Sequence, residues 1–231
     1  MTQISANIQL IREKVNAAAK KAGRNPDDIK IIAVTKTVEA AQINEALKCG
    51  ITAIGENRVQ EILRKYDDVE GNVQWHLIGH LQTNKVKYIV NLVDMIHSLD
   101  KIELAQEISK RALQNHKEIP VLVQVNISEE ESKFGLKAEE TESFIQEAAG
   151  YPGLKIMGLM TIAPYEEESE QTRPVFRELK ELSQFIAGKN IPGVEMRYLS
   201  MGMTNDFEIA IEEGANLIRV GTAIFGARSY R

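Results

Sequence analysis

Cysteine occurs once in this chain of 231 residues, at Cys49. That single thiol excludes an intrachain disulfide framework and a cysteine-based metal centre, and it points to a reducing compartment. Its position at the end of a helical pattern marks it as a small buried residue. Positive charge is also short: 28 Lys and Arg stand against 33 Asp and Glu, a formal net charge of −5. General nucleic-acid binding leans on clustered cations and is not expected, although a local basic pocket is compatible with this balance. No apolar run approaches the roughly 20 residues that cross a bilayer. The first 21 residues set Ile4, Ile8, Ile11, Val15 and Ala18 on one helical face, and polar residues such as Glu13 break any signal-peptide core. Neither G-x-x-x-x-G-K-[ST] nor G-x-G-x-x-G occurs, so the common nucleotide loops are excluded. No linker-like tract divides the chain. One cytoplasmic domain over residues 1–231, with no membrane or nucleic-acid partner, is the expectation.

What is present is an alternation of short apolar runs with longer amphipathic ones. Strands are predicted at 29–36, 53–57, 74–79, 95–98, 121–127, 155–162, 196–201 and 217–221. Helices are predicted at 1–21, 39–48, 59–66, 83–91, 101–115, 138–149, 169–188 and 205–213. Gly50, Gly150 and Gly214 follow helical runs as C-terminal caps, while Asp100 with Glu103 and Asn205 with Glu208 have the spacing of N-terminal capping pairs. A doubly wound open sheet would need a switch point that nothing marks. The fold expected is therefore α/β, a single-domain (β/α)8 barrel with an extra N-terminal helix.

Barrel sites lie at the C-terminal ends of the strands. Lys36 closes the first strand, where partial desolvation would leave its amine able to attack a carbonyl; its plainer reading is a strand exit into solvent. Ser200, Gly202, Gly221 and Thr222 follow strands seven and eight, the usual anion cradle of this fold, although glycine after a strand is also ordinary turn chemistry. Arg219 shares strand parity with Leu217 and Gly221, so its guanidinium should face inward, either toward a ligand or into an ion pair with a carboxylate such as Glu56. His76 and His80 are four apart, but residue 77 is Leu and no metal is expected; His76 is read as lining the pocket mouth or as a satisfied polar residue. The glutamate runs at 129–131, 166–168 and 212–213 are read as solvated surface.

Five separated motifs carry a family resemblance: Ala33-Val34-Thr35-Lys36-Thr37; residues 55–61 (GENRVQE); residues 75–85 (WHLIGHLQTNK); Leu199-Ser200-Met201-Gly202-Met203; and residues 219–226 (RVGTAIFG). Over nearly its whole length the chain resembles the pyridoxal phosphate homeostasis proteins, which are similar to the barrel domain of fold-type III enzymes such as alanine racemase. The resemblance implies pyridoxal 5'-phosphate held as a Schiff base on Lys36. It implies that Ser200, Gly221 and Thr222, with backbone near Met201 and Gly202, hold the phosphate. Arg219 would face the pyridine nitrogen, and a permanent cation there weakens the ring as an electron sink. Asn57, His76 and Met160 would line the cofactor pocket. Racemases take a second acid–base group from a tyrosine on an additional β domain, which is not expected here; Tyr165, Tyr198 and Tyr230 are the candidate substitutes. The expectation is a monomeric, non-catalytic cofactor carrier that buffers pyridoxal phosphate and serves cofactor-dependent apoenzymes. The alternatives are an amino-acid racemase using Lys36 as base and, from the barrel alone, a Schiff-base aldolase.

Overall fold

The computed structural model describes residues 2–130 and 133–226. Eight parallel strands close on themselves in chain order: β1 (Lys30–Val34), β2 (Ala53–Glu56), β3 (Gln74–Leu77), β4 (Met95–Leu99), β5 (Ile119–Gln124), β6 (Leu154–Met160), β7 (Val194–Ser200) and β8 (Leu217–Val220). β1 pairs with both β2 and β8, with Ile32 opposite Ala53 on one side and Arg219 on the other. The helices among the described residues are α1 (Gln3–Lys21), α2 (Ala40–Lys48), α3 (Val59–Lys65), α4 (Val86–Ile89), α5 (Ile102–Gln114), α6 (Ala138–Ala148), α7 (Arg173–Gly188), α8 (Phe207–Glu212) and α9 (Thr222–Phe225). The expected (β/α)8 barrel with its extra first helix is the fold observed.

Strand alternation splits the core in two. Ile32, Ala53, Met95, Leu122, Met157, Met160 and Leu217 point into the lumen and fill it. The opposite faces of the strands, such as Ala33, Ile54, Leu77 and Ile96, meet the helices. A fully buried Leu or Ile contributes about 1.5–3 kcal/mol, and both layers draw on that term. The stripe Ile4, Ile8, Ile11 and Val15 lays α1 against this outer core. Asn7 donates to the Ile224 carbonyl at 2.9 Å, and Lys14 and Lys21 pair with Glu208 and Glu212, so α1 is tied to α8 and α9.

Differences from the expected elements are local. The 83–91 run is a 3-10 turn (Thr83–Lys85) followed by α4, and the 169–188 run opens on another (Ser169–Thr172) before α7, which carries Pro in its first turn. α9 is too short to leave a periodic signature. Neither expected capping pair forms: the N-cap of α5 is Lys101, and that of α8 is Asp206, whose carboxylate accepts the Met203 N–H instead. Cys49 is half-buried at the end of α2 rather than enclosed. Among the described residues no helix is long and apolar enough to cross a membrane.

Candidate functional site

A cavity of about 410 Å³ opens at the C-terminal ends of β1, β6, β7 and β8, and Lys36, Arg219, Gly221 and Thr222 all line it. Lys36 is half-buried in the turn after β1. That turn is anchored from beneath. Lys65, on α3 and 2% exposed, donates to the Thr35 carbonyl at 2.8 Å and pairs with Glu56 at 2.7 Å and Glu61 at 2.8 Å. The Thr35 hydroxyl donates to the same Glu56 oxygen at 2.7 Å. Burial pushes the Glu56 carboxyl above the ordinary carboxylate range, against the pull of Lys65 and Thr35. Thr37 then adopts a φ of 64°, a conformation that β-branched residues seldom accept, with its N–H on Glu61. The backbone on either side of Lys36 is therefore held by charged groups, the buried Lys65 at Thr35 and the partly exposed Glu61 at Thr37.

Arg219 is enclosed within the barrel. Its guanidinium donates to Ser200 Oγ at 2.6 Å and to the Thr161 carbonyl at 2.8 Å. Ser200 Oγ in turn meets His97 Nδ1 at 2.9 Å, and His97 Nε2 meets His76 Nδ1 at 2.8 Å. Burial holds both imidazoles neutral: His76 falls to about 3, with Lys30 as a lesser cause, and His97 lies well below its ordinary value. The proton positions follow from satisfying every atom in turn. Ser200 accepts from Arg219 and gives its own proton to His97 Nδ1; His97 Nε2–H then donates to His76 Nδ1. His76 Nε2–H ends the chain, buried and without a partner among the described residues. Burial also lowers Arg219, to about 10, with Asp206 opposing, so it stays charged at neutral pH.

The opposite wall suits an anion. Gly221 caps α9, and the N–H groups at the start of a helix have no intrahelical acceptor. The Thr222 hydroxyl donates to Thr204 Oγ1 at 3.3 Å, joining the two loops. Gly202, at φ 89°, packs so tightly on α8 that a Cβ would lie 2.6 Å from that of Ala210; its carbonyl accepts the Arg219 N–H at 3.0 Å. Asp206 shares the cavity, and burial pushes its carboxyl up, which softens its repulsion of an anion.

The remaining expected residues are dispersed. Ser200 and Met201 are buried and line no part of this cavity; the Ser200 hydroxyl is spent on Arg219 and His97. Met160 fills the lumen. His76 lies deep in the barrel rather than at the mouth, and Asn57 lines a separate cavity with His80. Glu56 pairs with Lys65, not Arg219. Of the tyrosines, Tyr165 lines the Lys36 cavity while 82% exposed, Tyr198 packs against the lumen core, and Tyr230 lies outside the described residues. Lys65 and Asp206 escaped the sequence reading, while His97 and Thr161 stand at the predicted ends of their strands but were given no role there. Glu166, read as solvated surface, lines the cavity. Among the described residues no cluster of His, Cys, Asp and Glu could hold a metal ion.

Comparison with known proteins identifies the family and the fold. Residues 3–229 match the family described as alanine racemase, N-terminal domain. A relative from Aquifex aeolicus named pyridoxal phosphate homeostasis protein is 44% identical over 221 residues, covering 95% of this chain and 96% of its own length. The solved structure of PipY from Synechococcus elongatus PCC7942, with pyridoxal phosphate bound, superposes with a TM-score of 0.85 at 30% identity, over 96% of this chain and 100% of that one. Alanine racemase from Clostridium difficile 630 shares the fold alone, at 15% identity and a TM-score of 0.70 over 97% of this chain and 58% of that one.

Proposed function

Because this chain belongs to the pyridoxal phosphate homeostasis proteins, built on the alanine racemase N-terminal domain, we propose that its Lys36 cavity binds pyridoxal 5'-phosphate and that the protein acts as a carrier of that cofactor. The donor set fits the molecule. A primary amine at Lys36, a buried cation at Arg219, and hydroxyls and helix-end N–H groups at Thr204, Gly221 and Thr222 converge on one cavity, and that convergence carries the reading. When bound, the cofactor supplies an aldehyde able to condense with a primary amine, releasing water. Lys36 offers that amine. Gly221 and Thr222 hold the phosphate, and Ser200 supports the cradle from within by fixing Arg219, with the Met201–Gly202 backbone behind it. Arg219, charged at neutral pH, disfavours a proton on the pyridine nitrogen and so favours holding the cofactor over using it as an electron sink. The carrier is proposed to work in the cytoplasm as a monomer and to hand its cofactor to apoenzymes.

The test is an absorbance spectrum and intact mass of protein mixed with pyridoxal phosphate, before and after borohydride. A visible band should appear, bleach on reduction and leave a stable mass adduct; Lys36→Ala should show neither. An adduct of equal yield in the alanine variant would overturn the assignment. Tyr165, which lines the same cavity, favours the racemase alternative. Exchange of amino-acid Cα hydrogen with deuterated solvent, far faster than with free cofactor, would establish it, and no exchange across a panel of amino acids would leave the carrier.

A further inference from the structure

Two of the five motifs, residues 55–61 and 75–85, contribute nothing to the lining of the Lys36 cavity. They flank another, of about 380 Å³, lined by Asn57, Arg58, Gln60, His80, Gln82 and Lys85, with Val59 as its apolar wall. We propose that this second cavity binds the phosphate group of a small phosphorylated metabolite. No carboxylate lines it. No acid neutralises its two permanent cations: Arg58 and Lys85 form no ion pair with a described residue, Lys85 Nζ lying 5.8 Å from the Tyr88 ring centroid, whereas Arg64, Lys65, Arg111, Arg173 and Arg177 all do. In a chain of net charge −5, a concavity with cations and no acid is a local reversal of sign, the arrangement that concentrates anions.

The walls are held in place by packing. Gly79 lies on the Asn57 backbone so closely that a Cβ would stand 2.4 Å from the Asn57 carbonyl oxygen, so only glycine brings the 57–60 and 80–85 loops together. The His80 ring stacks on Phe134 at 4.0 Å, and Asp100 lies 3.8 Å behind its Nδ1. Asn57 Oδ1 is buried without a hydrogen-bond partner among the described residues, and an atom in that state calls for a ligand or solvent group. The count of donors chooses phosphate over carboxylate. Arg58, Lys85, His80 and the Gln60 and Gln82 amides offer more N–H groups than the two oxygens of a carboxylate accept, and three terminal phosphate oxygens match them better. Asn57 Oδ1 itself needs a donor. A singly protonated phosphate or a metabolite hydroxyl provides one, and a carboxylate has none.

The test uses full-length, 15N-labelled Lys36→Ala protein free of cofactor, titrated with inorganic phosphate, glycerol 3-phosphate and malonate at constant ionic strength. Phosphate and glycerol 3-phosphate should produce saturable amide shifts at residues 57–60 and 80–85, separate from any at 221–223. In the Arg58→Gln/Lys85→Gln variant the first set should weaken at least tenfold in Kd, with the second unchanged. Shifts confined to 221–223, or a first set indifferent to the double substitution, would overturn the proposal. Malonate binding tighter than phosphate would overturn it too. Because the two sets of amides are read independently, failure here leaves the cofactor reading untouched, and the reverse.

Discussion

Among the described residues two cations are buried, Lys65 and Arg219, and they are treated in opposite ways. Lys65 is neutralised by two carboxylates, Glu56 and Glu61, and its remaining hydrogen bond goes to the Thr35 carbonyl. Arg219 is held by neutral acceptors, the Ser200 hydroxyl and the Thr161 carbonyl, and no described carboxylate pairs with it. A buried charge that has been compensated locally does structural work, whereas one left with neutral partners keeps its field for whatever enters the cavity. The first fixes the turn that carries Lys36; the second faces the same space as Lys36.

That contrast breaks most readily at Lys65. Lys65→Met strands the Glu56 carboxylate in the interior and should cost about 3–5 kcal/mol in urea unfolding, with most of it recovered by adding Glu56→Gln. Arg219→Met removes a cation whose partners are neutral and should cost no more than about 2 kcal/mol, yet weaken cofactor binding tenfold or more in a spectroscopic titration. Equal stability losses in the two variants would erase the distinction. Acid probes the neutral partners themselves. His76 and His97 stay uncharged in the fold but take up protons when unfolded, so stability should fall as pH drops from 6.5 toward the His76 value of about 3. The slope should approach about 1.4 kcal/mol per pH unit for each histidine, and His76→Gln/His97→Gln should flatten it. The smallest effect is expected from Ser200→Ala, about 1 kcal/mol of stability. Its sharper readout is 15N NMR of the imidazoles. In the parent protein His97 should carry its proton on Nε2, and in the variant that preference should be lost; an unchanged tautomer would refute the relay.

Much of this was legible in the chain. Short apolar runs separated by amphipathic ones pointed to the barrel, and strand-end position and parity brought Lys36, Arg219, Gly221 and Thr222 to one mouth. Ser200 shows where such reasoning stops: parity says which way a side chain points, but not whether its hydroxyl is claimed by a neighbour before any ligand arrives. Lys65 was invisible for a related reason. On a short amphipathic helix a lysine reads as solvated, and only the tertiary fold sets it over two carboxylates. Asp100 and Asn205 had the spacing of helix caps, but each helix starts one residue later, on Lys101 and on Asp206, with Asp100 facing His80 instead.

The pairing of β1 with β8, with α1 clasped to α8 and α9, means that Lys36 and Arg219 come from distant parts of the chain. On the ribosome the amine emerges early and its counterpart late, so the nascent protein displays Lys36 long before there is a cavity around it. Chains stalled before β8 should neither capture the cofactor nor acquire its colour, which makes ligand uptake a natural report on completed synthesis.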